Sequence, residues 1–291
     1  MFEGYITNLL IIIGIFTLLS VSFNLAIGYT GLLNLGHIAF FGVGAYTSAL
    51  LTKFLNWPFL LGFALAGVVA SLFGAILVFA VRKLKGDYLA LATLGFSFVV
   101  YSLMLNWTSV TRGPLGIPGI MKPSIFGLNI KTNLAYLTLI ILVNVLVLWF
   151  LSRLTNSRFG KLLEAVRDDA IGLSALGKNP ERLKLLAMVI SSFIAGLAGS
   201  LFAHYITFID PSSFFISDLI IVFTIVMVGG LASLKGTVAA SFIIILIPEL
   251  LRFVDLPSSF IGPGRQIIYA LLLIGILMFR PKGLLGRVDL H

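Results

Sequence analysis

The chain has 291 residues, 59% of them hydrophobic and only 11% charged, with a mean hydropathy of +1.11; a soluble domain needs far more polar surface than this to cover its core. It contains no cysteine, which excludes disulfides, thiolate chemistry and Cys-ligated metal sites. The formal charge of +9 reads as basic residues that fix membrane orientation and meet anionic headgroups, with no nucleic acid as partner.

Apolar runs long enough to cross roughly 30 Å of hydrocarbon as helices recur along the chain. The alternating segments of about ten residues that mark a membrane barrel do not occur. The pattern predicts an all-α polytopic protein, one membrane domain over 1–291, with about nine spans (eight to ten) at 5–27, 37–52, 58–81, 88–109, 133–152, 184–208, 214–231, 236–253 and 265–280. The start, "MFEGYITNLL", has neither a basic n-region nor a small-residue cleavage pattern, so it is expected to be a first span rather than a signal peptide.

Between the first two spans lies "GYTGLLNLGH". Glycine and asparagine at membrane depth weaken a helix, and such a break is tolerated where protein buries it or where it lines a watery cavity. The connection at 110–132, "VTRGPLGIPGIMKPSIFGLNIKT", holds three prolines and four glycines. It predicts a structured, turn-rich external loop that buries Leu115, Ile117, Ile120, Ile125 and Phe126. With the C-terminus inside, 14 of the 20 Lys and Arg fall on the cytoplasmic side, among them Arg82, Lys83 and Lys85, the seven from Arg153 to Lys184, and Arg280, Lys282 and Arg287. That orientation satisfies the positive-inside rule and puts the N-terminus outside in the cell membrane.

The central connection, 153–183, is unlike the rest. Residues 161–184, "KLLEAVRDDAIGLSALGKNPERLK", carry nine charges in 24 positions. "GLSALGKN" imitates a phosphate-binding loop, but Asn179 replaces the magnesium-binding hydroxyl, Pro180 follows, and no strand precedes it. The chain is therefore not expected to hydrolyse ATP or to act as an enzyme. Two short amphipathic helices fit better: "FGKLLEAVRDDA" turns Leu162, Leu163 and Val166 to one side, and "AIGLSAL" ends at Gly177 as a C′ glycine. A solvated loop that only anchors topology is the alternative.

His37 lies beside the Gly36 break, and His204 near the outer end of span six. Isolated histidines without nearby Asp, Glu or Cys make poor metal sites; His204 is expected to be a packing residue and His37 to line a path. Asp87, Asp210, Asp218 and Glu249 lie at or within about a turn of a membrane face, and Glu249 can pair with Arg252. The scarcity of midplane carboxylates speaks against an ion relay. Small residues (Ser192, Ala195, Gly196, Gly199, Ser200 and Ala203 in span six; Gly42, Ala45 and Ala49 in span two) predict close helix packing. "GLLNL" (31–35) and "GLASL" (230–234) form a weak internal echo.

Taken in order, "GYTGLLNLGHIAFFGVGAYTSALL" (28–51), "KGDYLALATLGF" (85–96), "TRGPLGIPGI" (111–120), "EAVRDDAIGLSALGKNPERLKLLAMVISSFIAGLAGSLFAH" (164–204), "VGGLASLKGTVAAS" (228–241) and "PELLR" (248–252) resemble the membrane subunits of branched-chain amino-acid ABC importers, the LIV permeases, and their M-type most closely. Asn34 departs from the serine usual there. The resemblance implies a large-bundle importer fold and a homologous second permease. It also implies two cytoplasmic ATPase subunits, which bind the ATP and Mg that this chain lacks, and an extracellular substrate-binding protein. It makes 153–183 the coupling loop, with Glu164, Ala165, Arg167, Asp168, Ala175 and Gly177 on the family's pattern and Asp169 beside them. The expected translocation path is Asn24, Asn34, His37, Thr93 and Ser97. Urea, short amides or another small solute remain open as cargo, and an ion-coupled secondary transporter is the competing class.

Overall fold

The computed structural model describes residues 2–84, 86–125, 128–130, 132–249, 258–280 and 282–286. They form a helical bundle whose long elements are α1 (Phe2–Thr30), α2 (His37–Phe54), α3 (Phe59–Val81), α4 (Gly86–Asn106), α6 (Asn133–Thr155), α9 (Pro180–Ile206), α10 (Ile216–Gly229), α11 (Leu234–Glu249) and α12 (Ser258–Phe279). Short helices α5 (Thr108–Thr111), α7 (Arg158–Asp168) and α8 (Ala170–Ala175) lie in the connections. By length and composition six helical stretches can cross a membrane: Gly4–Thr30, Phe59–Val81, Gly86–Asn106, Asn133–Thr155, Pro180–Ile206 and Pro211–Gly229. Two shorter apolar stretches are Leu234–Ile247 and Gln266–Ile276. The expected spans 37–52, 236–253 and 265–280 coincide with α2, α11 and α12, with 250–257 outside the described residues.

Burial ranks the helices. In α1 and α9, 78% and 67% of the apolar window is buried, against 28% in α6, so α1 and α9 form the centre and α6 the rim. Small residues explain the centre. A Cβ on Gly44 would run into the backbone of Gly196, and one on Gly199 into Phe41 O and Ala45 N, so α2 and α9 touch main chain to main chain. Gly196 meets α3 at Ala66 and Ala70 in the same way, and Gly74 meets Ser192. Hydroxyls and amides then tie neighbours: Ser191 donates to Ser22 O (2.6 Å), Tyr136 to Leu201 O (2.6 Å) and Asn144 to Gly14 O (3.1 Å).

The chain breaks twice at one end of the bundle. α1 stops at Thr30 and α2 starts at His37; α10 stops at Gly229 and α11 starts at Leu234. Gly31 (φ +69) and Gly230 (φ +100) make the turns from the left-handed region that glycine adopts freely. The internal echo thus marks two helix breaks. At the other end, β1 (Ile117–Pro118) pairs antiparallel with β4 (Phe208–Ile209), and β2 (Ser124–Ile125) with β3 (Leu128–Asn129). The 110–132 connection is structured, and Ile117 and Ile120 are buried, but Leu115 is 79% exposed, contrary to expectation. It sits in a 3₁₀ turn between two left-handed residues, Gly113 and Gly116, that swings it off the bundle. Phe126 and the side chain of Ile125 lie outside the described residues.

Candidate functional site

The 153–183 connection folds as a capped helical hairpin. Ser157 Oγ accepts from Phe159 N (3.2 Å) and Gly160 N (3.4 Å), starting α7. Asp169 Oδ1 accepts from Ile171 N (3.1 Å) and Gly172 N (2.9 Å), starting α8. α8 closes with a Schellman turn: Lys178 N donates to Leu173 O (3.3 Å) and Gly177 N to Ser174 O (2.9 Å). Gly177 sits at φ +74 with open space where a Cβ would stand, so its backbone conformation alone requires glycine. Asn179 Oδ1 then caps α9 at Arg182 N (3.1 Å), with Pro180 in the first turn. Each change of direction has its own cap, so the hairpin is stiff. The phosphate-loop look-alike is thereby spent on a helix end and the start of the next helix.

Leu163, Val166 and Leu173 bury the hairpin against Val21, Leu25 and Tyr29 of α1, Leu151 of α6 and Leu183 of α9. Arg167 turns inward as well. Its guanidinium donates to Gly28 O (2.8 Å) while Nε pairs with Asp168 Oδ1 (2.8 Å), and its side chain is 17% exposed against 64% for Asp168. Glu164 is half-buried. The residues expected to couple therefore divide: Arg167 grips the end of α1, Asp169 and Gly177 shape the hairpin, and Asp168 faces out. Sequence reasoning missed Ile171 on α8 and Leu176 just after it, which stand 77% and 79% exposed. The available signal was three large apolar residues in the seven of "AIGLSAL", of which only Leu173 is buried.

The five expected path residues do not form one wall. Asn24, fully buried in α1, donates to Thr237 Oγ1 (2.6 Å), Gly230 O (3.3 Å) and Ser233 O (3.3 Å), and its oxygen accepts from Ala232 N (3.0 Å). It holds the second helix break against α1. Asn34, His37 and Thr93 gather at the first. Thr93 Oγ1 accepts from Leu35 N (3.0 Å), and Asn34 Oδ1 accepts from Gly36 N (3.1 Å). Ser22 donates to Leu19 O (2.7 Å), so His37 Nε2 carries the proton and donates to Ser22 Oγ (2.8 Å). Nδ1 is then left to accept from Asn34 at 3.5 Å. The ring packs on Phe23 and Phe40. Ser97, half-buried, lies one turn beyond Thr93 on α4. His204 is the packing residue expected: it bonds Ser48 Oγ (2.9 Å) and Met121 O (2.6 Å) and stands edge-on to Phe59.

Two hollows lie along this axis. Asn34 and Thr93 line a cleft of about 30 Å³ beside Arg82, Glu181 and Lys184, room for no more than a water or two. At the far end of α1, Tyr5, Asn8 and Phe16 line a cavity of about 540 Å³ shared with α2, α9, α10, α11 and α12. Phe41 and Phe202, which line that cavity, pack ring to ring with Phe214, with centroids 5.3 to 6.1 Å apart. The hollow at the α1 N-terminal end is thus large and the one at the hairpin end small.

Residues 5–280 match the family described as "Branched-chain amino acid transport system / permease component". The chain belongs to this permease family. Among its relatives, the high-affinity branched-chain amino acid transport system permease protein LivM of Salmonella typhimurium is 36% identical over 93% of this chain and 68% of its own length. LivM of Escherichia coli is 35% identical over the same shares. Escherichia coli LivH is 26% identical over 95% of this chain and 92% of its own. No solved structure matches. In this permease component the most specific architecture is the capped hairpin gripping α1 through Arg167 and Gly28.

Proposed function

We propose that this chain is the membrane-spanning subunit of an ATP-driven importer of branched-chain and other hydrophobic amino acids, working with a homologous second permease, two cytoplasmic ATPases and an extracellular binding protein. In this reading α1, α2, α3, α4, α6, α9, α10, α11 and α12 are nine spans of one membrane domain. The N-terminus is outside and the C-terminus cytoplasmic, consistent with the excess of Lys and Arg on the hairpin side. The observation that carries the reading is the hairpin. It is stiff, anchored through Arg167 to Gly28 at the end of the central helix, and presents Ile171 and Leu176 outward. A permease without its own ATPase needs such an element to receive force.

Closure of the ATPase dimer would press α8 and move α7 with the end of α1. Both helix breaks adjoin that end, Gly31 through contact with Arg167 and 230–233 through Asn24. The push therefore reaches the Asn34–His37–Thr93 layer and biases a bundle with two arrangements. With about 30 Å³ free at the hairpin end and about 540 Å³ at the other, the present form is the outward-open one in this reading, and Asn34, His37, Thr93 and Ser97 face the cargo only when the aromatic rings part.

Reconstitution of the assembled transporter tests this. Leucine uptake should require ATP and the binding protein. Replacing Glu164 and Arg167 together by alanine should leave the complex assembled but reduce uptake at least about tenfold relative to ATP consumed. Wild-type uptake by that variant removes the coupling role, and ion-driven uptake by this chain alone overturns the importer reading.

A further inference from the structure

The cavity at the N-terminal end of α1 has a chemistry of its own. Its volume, about 540 Å³, lies within the roughly 300–1,000 Å³ usual for small-molecule sites. Phe16, Phe41 and Phe202 give it an apolar floor. Among the described residues, the charged ones lining it are Asp218 and Glu249, both acidic. Tyr5 donates to Glu249 Oε2 (2.5 Å), which fixes that carboxylate at the rim. Asp218 stands half-buried in the first turn of α10, and among the described residues no ion pair engages it. A carboxyl group held near hydrocarbon is costly to ionise, and an arriving cation offsets that cost.

The geometry points to this cavity as a cargo site that accepts a primary ammonium group on a compact aliphatic body, with Asp218 receiving the ammonium and the phenylalanine floor taking the side chain. The inference rests on the proposed function for the identity of the cargo and adds how the cargo is recognised. Urea, amides and sugars bring no cation to match the acids, and a free carboxylic acid is repelled by them. The substrate's own carboxylate is left toward the open mouth.

The assembled transporter in nanodiscs, without the binding protein, gives the test. Radiolabelled leucine should bind and be displaced by isopentylamine, which keeps the ammonium, and not by 4-methylpentanoate, which keeps only the carboxylate. Asp218→Asn should weaken leucine by at least about tenfold while Asp218→Glu retains it. Absence of leucine binding, equal displacement by the acid, or unaltered binding by Asp218→Asn each overturn the site. Should Asp218→Asn fail to assemble, the amine-against-acid comparison on the unmutated protein decides. Leucine accumulation driven by a sodium gradient without ATP would instead give the acids to a coupling cation and overturn the proposal. ATP-driven uptake measured in parallel with the binding protein separates the two failures: uptake without an ammonium-selective site leaves the importer reading standing and removes only the cavity.

Discussion

At Asn24 one carboxamide meets four groups of a single helix break: two carbonyls, one hydroxyl and one main-chain N–H. The residue is wholly buried, so removing the amide orphans Ala232 N–H and weakens the partners of the rest. Asn24→Leu, similar in volume, should lower stability by at least about 2 kcal/mol, read as an earlier unfolding midpoint in detergent. Thr237→Val should cost less, about 1 kcal/mol, because it removes one of several partners. A midpoint unmoved in Asn24→Leu would show that the break stands without its clamp. Thr93 makes the same argument at the first break: Thr93→Val orphans Leu35 N–H and should destabilise by about 1–3 kcal/mol. Thr93→Ser keeps the hydroxyl and should hold the midpoint.

Among the elements, the α2–α9 contact has the least room for error. A side chain at Gly199 would enter the main chain of α2 at Phe41 and Ala45, which has no flexible end to move aside. Gly199→Leu should force the helices apart and abolish a monodisperse peak in size-exclusion chromatography, the extreme of an overpacking cost that is usually about 1–3 kcal/mol. Gly95 in α4 is the control, since nothing lies within 4 Å of its Cβ position. Gly95→Ala should be neutral or stabilise by up to about 1 kcal/mol. The contrast also shows what a sequence can disclose. Glycine and alanine at helical spacing announced close packing, and Gly31 with Asn34 announced a break, because each consequence is local to its residues. Asn24 read as a path residue because its partners lie more than 200 positions away. The inward turn of Arg167 was hidden for the same reason: its acceptor, Gly28 O, belongs to another helix.

On the scale of the whole molecule and under the proposed function, one end is gripped and the other receives cargo, and α1 joins them. From Tyr5 at the cavity to Gly28 at the hairpin it rises about 35 Å, so a rigid helix carries displacement across the membrane without any chain of intermediate side chains. Under the proposed function, docking and transmission are then separate tasks of separate residues. Ile171 and Leu176 touch the partner; Arg167 touches only this chain. Replacing Ile171 and Leu176 together by serine should leave the permease inserted and reduce ATPase affinity at least about tenfold, measured by co-purification across a concentration series. Arg167→Ala should keep the ATPase bound and its hydrolysis running while leucine uptake falls, because the hairpin moves without pulling Gly28. Arg167→Lys preserves the charge but not the simultaneous hold on Gly28 O and Asp168, and should fall between the two. If Arg167→Ala instead released the ATPase, with uptake lost only in proportion, the guanidinium would belong to the docking surface and force would have to reach α1 by another contact.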